Sequence, residues 1–324
     1  MKKRDFVGAL ALAGLGGRVL AQAPAYPAAK PIRLVIGFTP GGAADYVARV
    51  ISDTLGKNLG QSIVVENRPG AGASIATDMV AKSAPDGYTV LLASPGSIIV
   101  NPALNPKLAY TLKDLAPIMK VTSAPLVIAA NPASGISSVQ ELIARARKAP
   151  GVLNCATAGN GSAPHLGAAL FSQVAGVEMT LVPFRGGAPA IQSVISGDTQ
   201  VTFATPPSVL PMIQAGRLKG LAISARESSA MFPGLPGMAE AGLPEYAIDF
   251  WYGLFVPAAT PAAVVRKIFD AASAAMEQPG IKVALAKEGT AVDISKSPEQ
   301  FSAFLEQDAR FWVKLVKDAG VKLD

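Results

Sequence analysis

The stretch Phe38-Thr39-Pro40-Gly41-Gly42-Ala43-Ala44-Asp45 decides how this chain is read. It follows an apolar run, Ile32-Arg33-Leu34-Val35-Ile36, whose composition predicts a buried strand. Behind it Ala44, Val47, Ile51 and Leu55 recur at helical spacing and share one face. Two glycines between strand and helix let backbone N–H groups turn outward, where the helix dipole adds partial positive charge. Such a turn can hold an anion. The same residues also suit a plain tight connection.

A second stretch favours the anion site. Leu153-Asn154-Cys155-Ala156-Thr157 predicts another strand, followed by the loop Ala158-Gly159-Asn160-Gly161-Ser162-Ala163-Pro164 and an apolar helix through Leu166, Leu170 and Val174. Ser162 and Pro164 supply the chemistry of a helix start. One strand–glycine loop–helix unit made twice predicts two lobes whose loops face a single ligand.

Composition sets the bounds. The chain has 324 residues, enough for two cores, and is 50% hydrophobic with 16% charged residues, which places it among globular proteins. Met1-Lys2-Lys3-Arg4 and the short apolar run from Phe6 to Gly17 read as a signal peptide over residues 1–21, cut after Ala21 and too short to span a membrane. The formal charge of +6 falls to +3 once Lys2, Lys3, Arg4, Arg18 and Asp5 leave with that segment. A weak positive field helps draw in anions, but the basic residues are scattered and make no nucleic-acid footprint. The single cysteine, Cys155, excludes an internal disulfide and reads as a core residue. One histidine and one cysteine also speak against a zinc site.

Along the rest of the chain, strands and helices alternate, which means α/β with largely parallel sheets flanked by helices. Ile63 to Asn67 is a strand, and Ser74 is expected to cap the helix after Gly70-Ala71-Gly72. Those glycines do not complete G-x-G-x-x-G, so no dinucleotide cofactor is expected. Tyr88 to Ala93 is a strand ending at Ser94-Pro95-Gly96-Ser97, whose hydroxyls suit a ligand edge. Leu126 to Ala130 carries the chain into the second lobe, and Trp251 to Val256 carries it back. Between them lie a helix opened by Ser138-Val139-Gln140-Glu141, a strand from Met179 to Val182 and a strand from Val201 to Thr205 closed by Pro206-Pro207. Arg185, beside Gly186 and Gly187, could offer a planar fork to a carboxylate, or simply be solvated. Thr260-Pro261 is expected to open a helix to about Met276, and Ser297-Pro298 the last helix, ended by Gly320. The first lobe is therefore discontinuous, residues 30–124 with 252–324, and the second covers 125–251.

These segments resemble a known family over nearly the whole chain beyond residue 21: the Bug receptors, extracytoplasmic solute-binding components of tripartite tricarboxylate transporters. The matching stretches are Phe38 to Asp45, Val65-Glu66-Asn67-Arg68-Pro69-Gly70-Ala71-Gly72, Ala84-Pro85-Asp86-Gly87-Tyr88-Thr89, Gly159-Asn160-Gly161-Ser162, Val182-Pro183-Phe184-Arg185-Gly186-Gly187, Ala239-Glu240-Ala241-Gly242-Leu243-Pro244 and Trp251 to Pro257. The resemblance implies a periplasmic-binding-protein-like clam shell, monomeric, without cofactor or metal, handing its ligand to membrane permease subunits. It places a small carboxylate between the lobes: a di- or tricarboxylic acid, an acidic amino acid, an aromatic acid or a nicotinate-like compound. It implies ligand-binding roles for Phe38, Thr39, Gly41, Gly42, Ala43, Asp45, Ser94, Gly159, Asn160, Gly161, Ser162, Arg185, Gly186 and Thr205. Phe184-Arg185 departs from the commoner Tyr-Lys, and Gly237 stands where a threonine is usual.

Rival readings remain open at this level. Ser162 and His165 lie three apart and supply the residue types of a hydrolase pair, yet no G-x-S-x-G elbow or orienting carboxylate accompanies them. A regulator's effector domain shares the two-lobed form but needs a helix-turn-helix where the signal peptide stands. A sensory carboxylate receptor without a permease is a further alternative. Asp45 either complements the dipole of its own helix or faces the cleft to pair with a ligand ammonium.

Overall fold

The computed structural model describes residues 26–28, 30–318 and 320; the expected signal peptide lies outside them. The chain begins with β1 (Ile32–Ile36), α1 (Ala43–Leu59), β2 (Ile63–Asn67), α2 (Ser74–Ala81), β3 (Thr89–Ala93), a π-helical turn at Gly96–Val100, α3 (Asn101–Leu104) and β4 (Leu115–Pro125). It continues through β5 (Val127–Ala130), α4 (Val139–Lys148), β6 (Asn154–Thr157), α5 (Ala163–Ala175), β7 (Thr180–Pro183), α6 (Gly187–Ser196), β8 (Val201–Ala204), α7 (Pro206–Gln214) and β9 (Lys219–Ile223). It closes with β10 (Asp249–Pro257), α8 (Ala262–Met276), α9 (Pro279–Lys287), β11 (Ala291–Val292) and α10 (Pro298–Asp318).

Two sheets result, ordered β11-β4-β10-β3-β1-β2 and β7-β6-β8-β5-β9. Their centres are parallel: β1 lies between β2 and β3, and β6 between β7 and β8. The remaining neighbours are antiparallel, β10 on β3 and β4, β11 on β4, and β5 on β8 and β9. The physical reason is connectivity. Strands joined by a crossover helix are forced parallel, whereas β4, β5 and β10 carry the chain between lobes and escape that constraint.

The expected apolar faces are buried. Val47 and Ala48 of α1 are fully enclosed, with Ile51 and Leu55 nearly so. Phe301, Leu305 and Trp312 of α10 are buried, while Phe311 beside them is half exposed. The Trp312 and Phe250 rings lie 5.0 Å apart, so α10 packs onto the returning strand. Gln173 of α5 donates to the Asp318 carbonyl, so α10 also touches the second lobe.

Local differences from the expectations have local causes. Ser74 is the first residue of α2 and not its cap; left-handed Ala73 holds that place. Pro261, with ψ 138°, precedes α8 in the position expected for Thr260. The Pro206-Pro207 pair does close β8, but it also opens α7, since proline is tolerated in a first helical turn. The crossings between lobes fall at Leu126 and near Ile248, and buried Ser224 joins them. Its hydroxyl accepts from the Leu126 amide at 2.7 Å and donates to the Ile248 carbonyl at 2.6 Å.

Candidate functional site

The C-terminal ends of β1, β2 and β3 in one sheet face those of β6, β7 and β8 in the other. That is where parallel strands present helix N-termini and where α/β proteins place ligands. A cavity of about 320 Å³ lies there. One wall is Phe38 and the Gly70–Ser74 loop, backed by Asn101, Asn105 and Leu108; the other is Ala158–Asn160 and Pro183–Arg185. Phe38, Leu108 and Phe184 make it partly apolar, and its lining contains no Asp or Glu. Arg185 supplies its one charged side chain, and no carboxylate among the described residues pairs with it.

Several helices aim uncapped starts toward this region. Gly42, Ala73, Gly186 and Thr205 precede α1, α2, α6 and α7, and none closes its helix with a side-chain hydrogen bond. At α1, α2 and α6 free N–H groups and aligned dipoles favour an anion; α7, opened by Pro206-Pro207, has no such amides to offer. Within the first loop, Gly41 carries the left-handed φ of 83°, while Gly42 has ordinary extended backbone. Gly42 and Gly41 approach Gly187 and Ala188 of the other lobe at about 3.8 Å from a notional Cβ.

The expected ligand contacts fall into three groups. Phe38, Gly159, Asn160 and Arg185 line the cavity. Thr39, Gly41, Gly42, Ala43, Gly161 and Gly186 sit where the two lobes' loops touch or at the adjoining helix start. Asp45, Ser162 and Thr205 bond within their own lobes, and Ser94 is buried outside the cavity lining. Asp45 is buried, and its carboxylate accepts from the Gly41 amide at 3.1 Å, Asn67 Nδ2 at 3.1 Å and Arg49 Nε at 2.9 Å. Burial would raise its pKa, but Arg49, the Gly41 amide and Asn67 outweigh that and hold it below the ordinary Asp value. These three partners tie its carboxylate to the glycine loop, to Asn67 and to its own helix. The Ser94 carbonyl accepts from Ser97, and the Thr205 hydroxyl lies 3.2 Å from that of Ser208.

The Gly70–Ser74 loop and Asn101 were not among the expected contacts. Ala71, Gly72 and Ala73 have φ of 48°, 58° and 74°, a strained run because two carry a Cβ. Asn101 Nδ2 holds it, donating to the Gly72 carbonyl and to Ser74 Oγ at 3.1 and 2.9 Å. The glycines carried a signal, but one read against a nucleotide fingerprint. Asn101, Asn105 and Leu108 stand in a stretch without periodicity and carried none.

A family model described as "Tripartite tricarboxylate transporter family receptor" matches residues 47–321. The chain belongs to that receptor family. It is 35% identical to Protein BugT of Bordetella pertussis (strain Tohama I) over 316 residues, covering 97% of this chain and 96% of that one. Among solved structures, MatC of Rhodopseudomonas palustris with bound malate is 31% identical at a TM-score of 0.84, over 89% of this chain and 99% of that one. R. palustris Rpa4515 with adipate is 30% identical at 0.87, over 92% and 99%.

In this tricarboxylate-transporter receptor, the serine and histidine of the hydrolase reading are occupied otherwise. Ser162 Oγ caps α5 by accepting the His165 amide, and His165 Nδ1 accepts from the Gly161 amide, each at 3.4 Å. Both side chains are buried. Among the described residues no cluster of His, Cys, Asp or Glu could hold a metal, and no helix is long and apolar enough to cross a membrane.

Proposed function

We propose that this receptor is exported to the periplasm, captures a small organic carboxylate between its lobes as a monomer, and delivers it to membrane permease subunits. The observation that carries the reading is the cavity at the lobe junction, next to uncapped helix starts and free of acidic side chains. Its volume sits at the small end for ligand sites, which suits a compact acid. Phe38, Gly159, Asn160 and Arg185 contact the ligand in this reading, and the Gly70–Ser74 loop joins them. The malate and adipate held by the two relatives above are of the right chemistry. No catalytic role follows, because Ser162 and His165 serve the start of α5.

A thermal-shift screen over malate, adipate, citrate, aspartate, nicotinate and benzoate tests this. A ligand at about 100 times its Kd stabilises by roughly 2.7 kcal/mol. No shift with any of the six would sink the carboxylate reading.

A further inference from the structure

The two lobes meet at a short row of glycines, each with no room for a side chain. A Cβ on Gly72 would lie 1.9 Å from the Asn160 carbonyl oxygen, one on Gly161 1.8 Å from Asn101 Oδ1, and one on Gly186 2.3 Å from Thr39 Oγ1. One on Gly96 would lie 1.9 Å from the Gly161 carbonyl oxygen. The first three have φ of 58°, 73° and 148°, so their own backbone also asks for glycine.

Gly96 differs. It opens the π-helical turn Gly96–Val100, and its φ is not left-handed. In a helical turn alanine is the better residue. The three atoms nearest its notional Cβ all belong to Gly161 and Ser162, across the lobe boundary. It does not line the cavity. What excludes a side chain here is the approach of the other lobe.

We infer that Gly96 is a positioning residue for ligand capture: its bare Cα sets how closely the lobes close over the cavity. The inference rests on the receptor reading above. Asn101 explains why closure would depend on ligand. Its Oδ1 is buried under Gly161 without a hydrogen-bond partner. An amide oxygen stripped of water opposes closure, and contacts from both lobes to one ligand offset that. Alanine at position 96 must move from 1.9 Å to an ordinary contact of about 3.4 Å, opening the seam by about 1.5 Å. That is enough to break hydrogen bonds reaching across the cleft.

The test compares wild type, Gly96→Ala and the control Gly280→Ala, whose Cβ would meet nothing within 4 Å. The probe is whichever of malate, adipate, citrate and aspartate shifts the wild-type melt most. Melting is followed without probe, calorimetric affinity is measured, and solution scattering is recorded at saturation. Gly96→Ala is expected to melt like wild type without probe, lose at least tenfold in affinity and stay expanded at saturating probe, while Gly280→Ala behaves as wild type. Equal affinity and compaction in Gly96→Ala would overturn the inference alone. So would failure of Gly96→Ala to fold where Gly280→Ala folds, because the glycine would then serve its own lobe. A wild type that takes up none of the probes removes the receptor reading, and the inference with it.

Discussion

Ser224 donates its hydroxyl to the Ile248 carbonyl at 2.6 Å, and the same oxygen accepts the Leu126 amide at 2.7 Å. Leu126 and Ile248 sit where the chain passes between the two sheets, so one serine fastens both crossings. All three residues are buried. Ser224→Ala leaves an amide and a carbonyl without this partner where water is excluded, and is expected to cost about 1–3 kcal/mol. Urea melts check this; an unchanged midpoint would show that the crossings hold without it.

Asp45 makes stability depend on pH in a defined direction. Its folded pKa is depressed, so its contribution is fully present above the ordinary Asp value of about 3.9 and lost as pH falls through the lower folded value. Asp45→Asn should therefore melt below wild type at pH 6, with the gap closing between pH 4 and pH 2. A constant gap over that range would mean that the charge is not what matters.

Ser162→Ala should remove the cap of α5 and cost about 1 kcal/mol. Esters and amides incubated with wild type should remain intact. Turnover that disappears in Ser162→Ala would restore the hydrolase reading.

The cavity holds Arg185 and no acidic side chain, which favours dianions over ligands carrying an ammonium. Succinate should bind more tightly than aspartate, its amino counterpart. Arg185→Gln should weaken a dicarboxylate about tenfold or more, as expected for losing a charge-assisted hydrogen bond of about 1.5–3 kcal/mol. Preference for aspartate, or indifference to Arg185→Gln, would reassign the polar end of the site.

Cys155 is fully buried in β6, and burial pushes its thiol up to about 12. Thiol reagents should leave it untouched in the native protein at pH 8 and label it fully in denaturant. Native labelling would reveal opening of the second sheet.

Period and turn chemistry made much of this protein legible from its residues. Ile32–Ile36, Ile63–Asn67 and the Ala44-Val47-Ile51-Leu55 face are short-range patterns, and they fold as read because burial rewards the pattern wherever the core lies. The glycine loops at Gly41 and Gly159–Gly161 were visible for the same reason: a sharp strand-to-helix turn needs residues without Cβ. Other features depended on partners distant in sequence. The antiparallel settings of β5 and β10 follow from which sheet the chain re-enters. Asp45 is held by Asn67, 22 residues away on β2, as well as by Arg49 of its own helix. Asn101 joins the cavity wall because Gly72 and Ser74, on a separate loop, take its amide hydrogens. Gly96 has no local need to be glycine; the Gly161 carbonyl, brought there by the opposite lobe, supplies the need. Local patterns read off the chain determine elements and turns, whereas contacts between lobes depend on three-dimensional distances that no sequence spacing encodes.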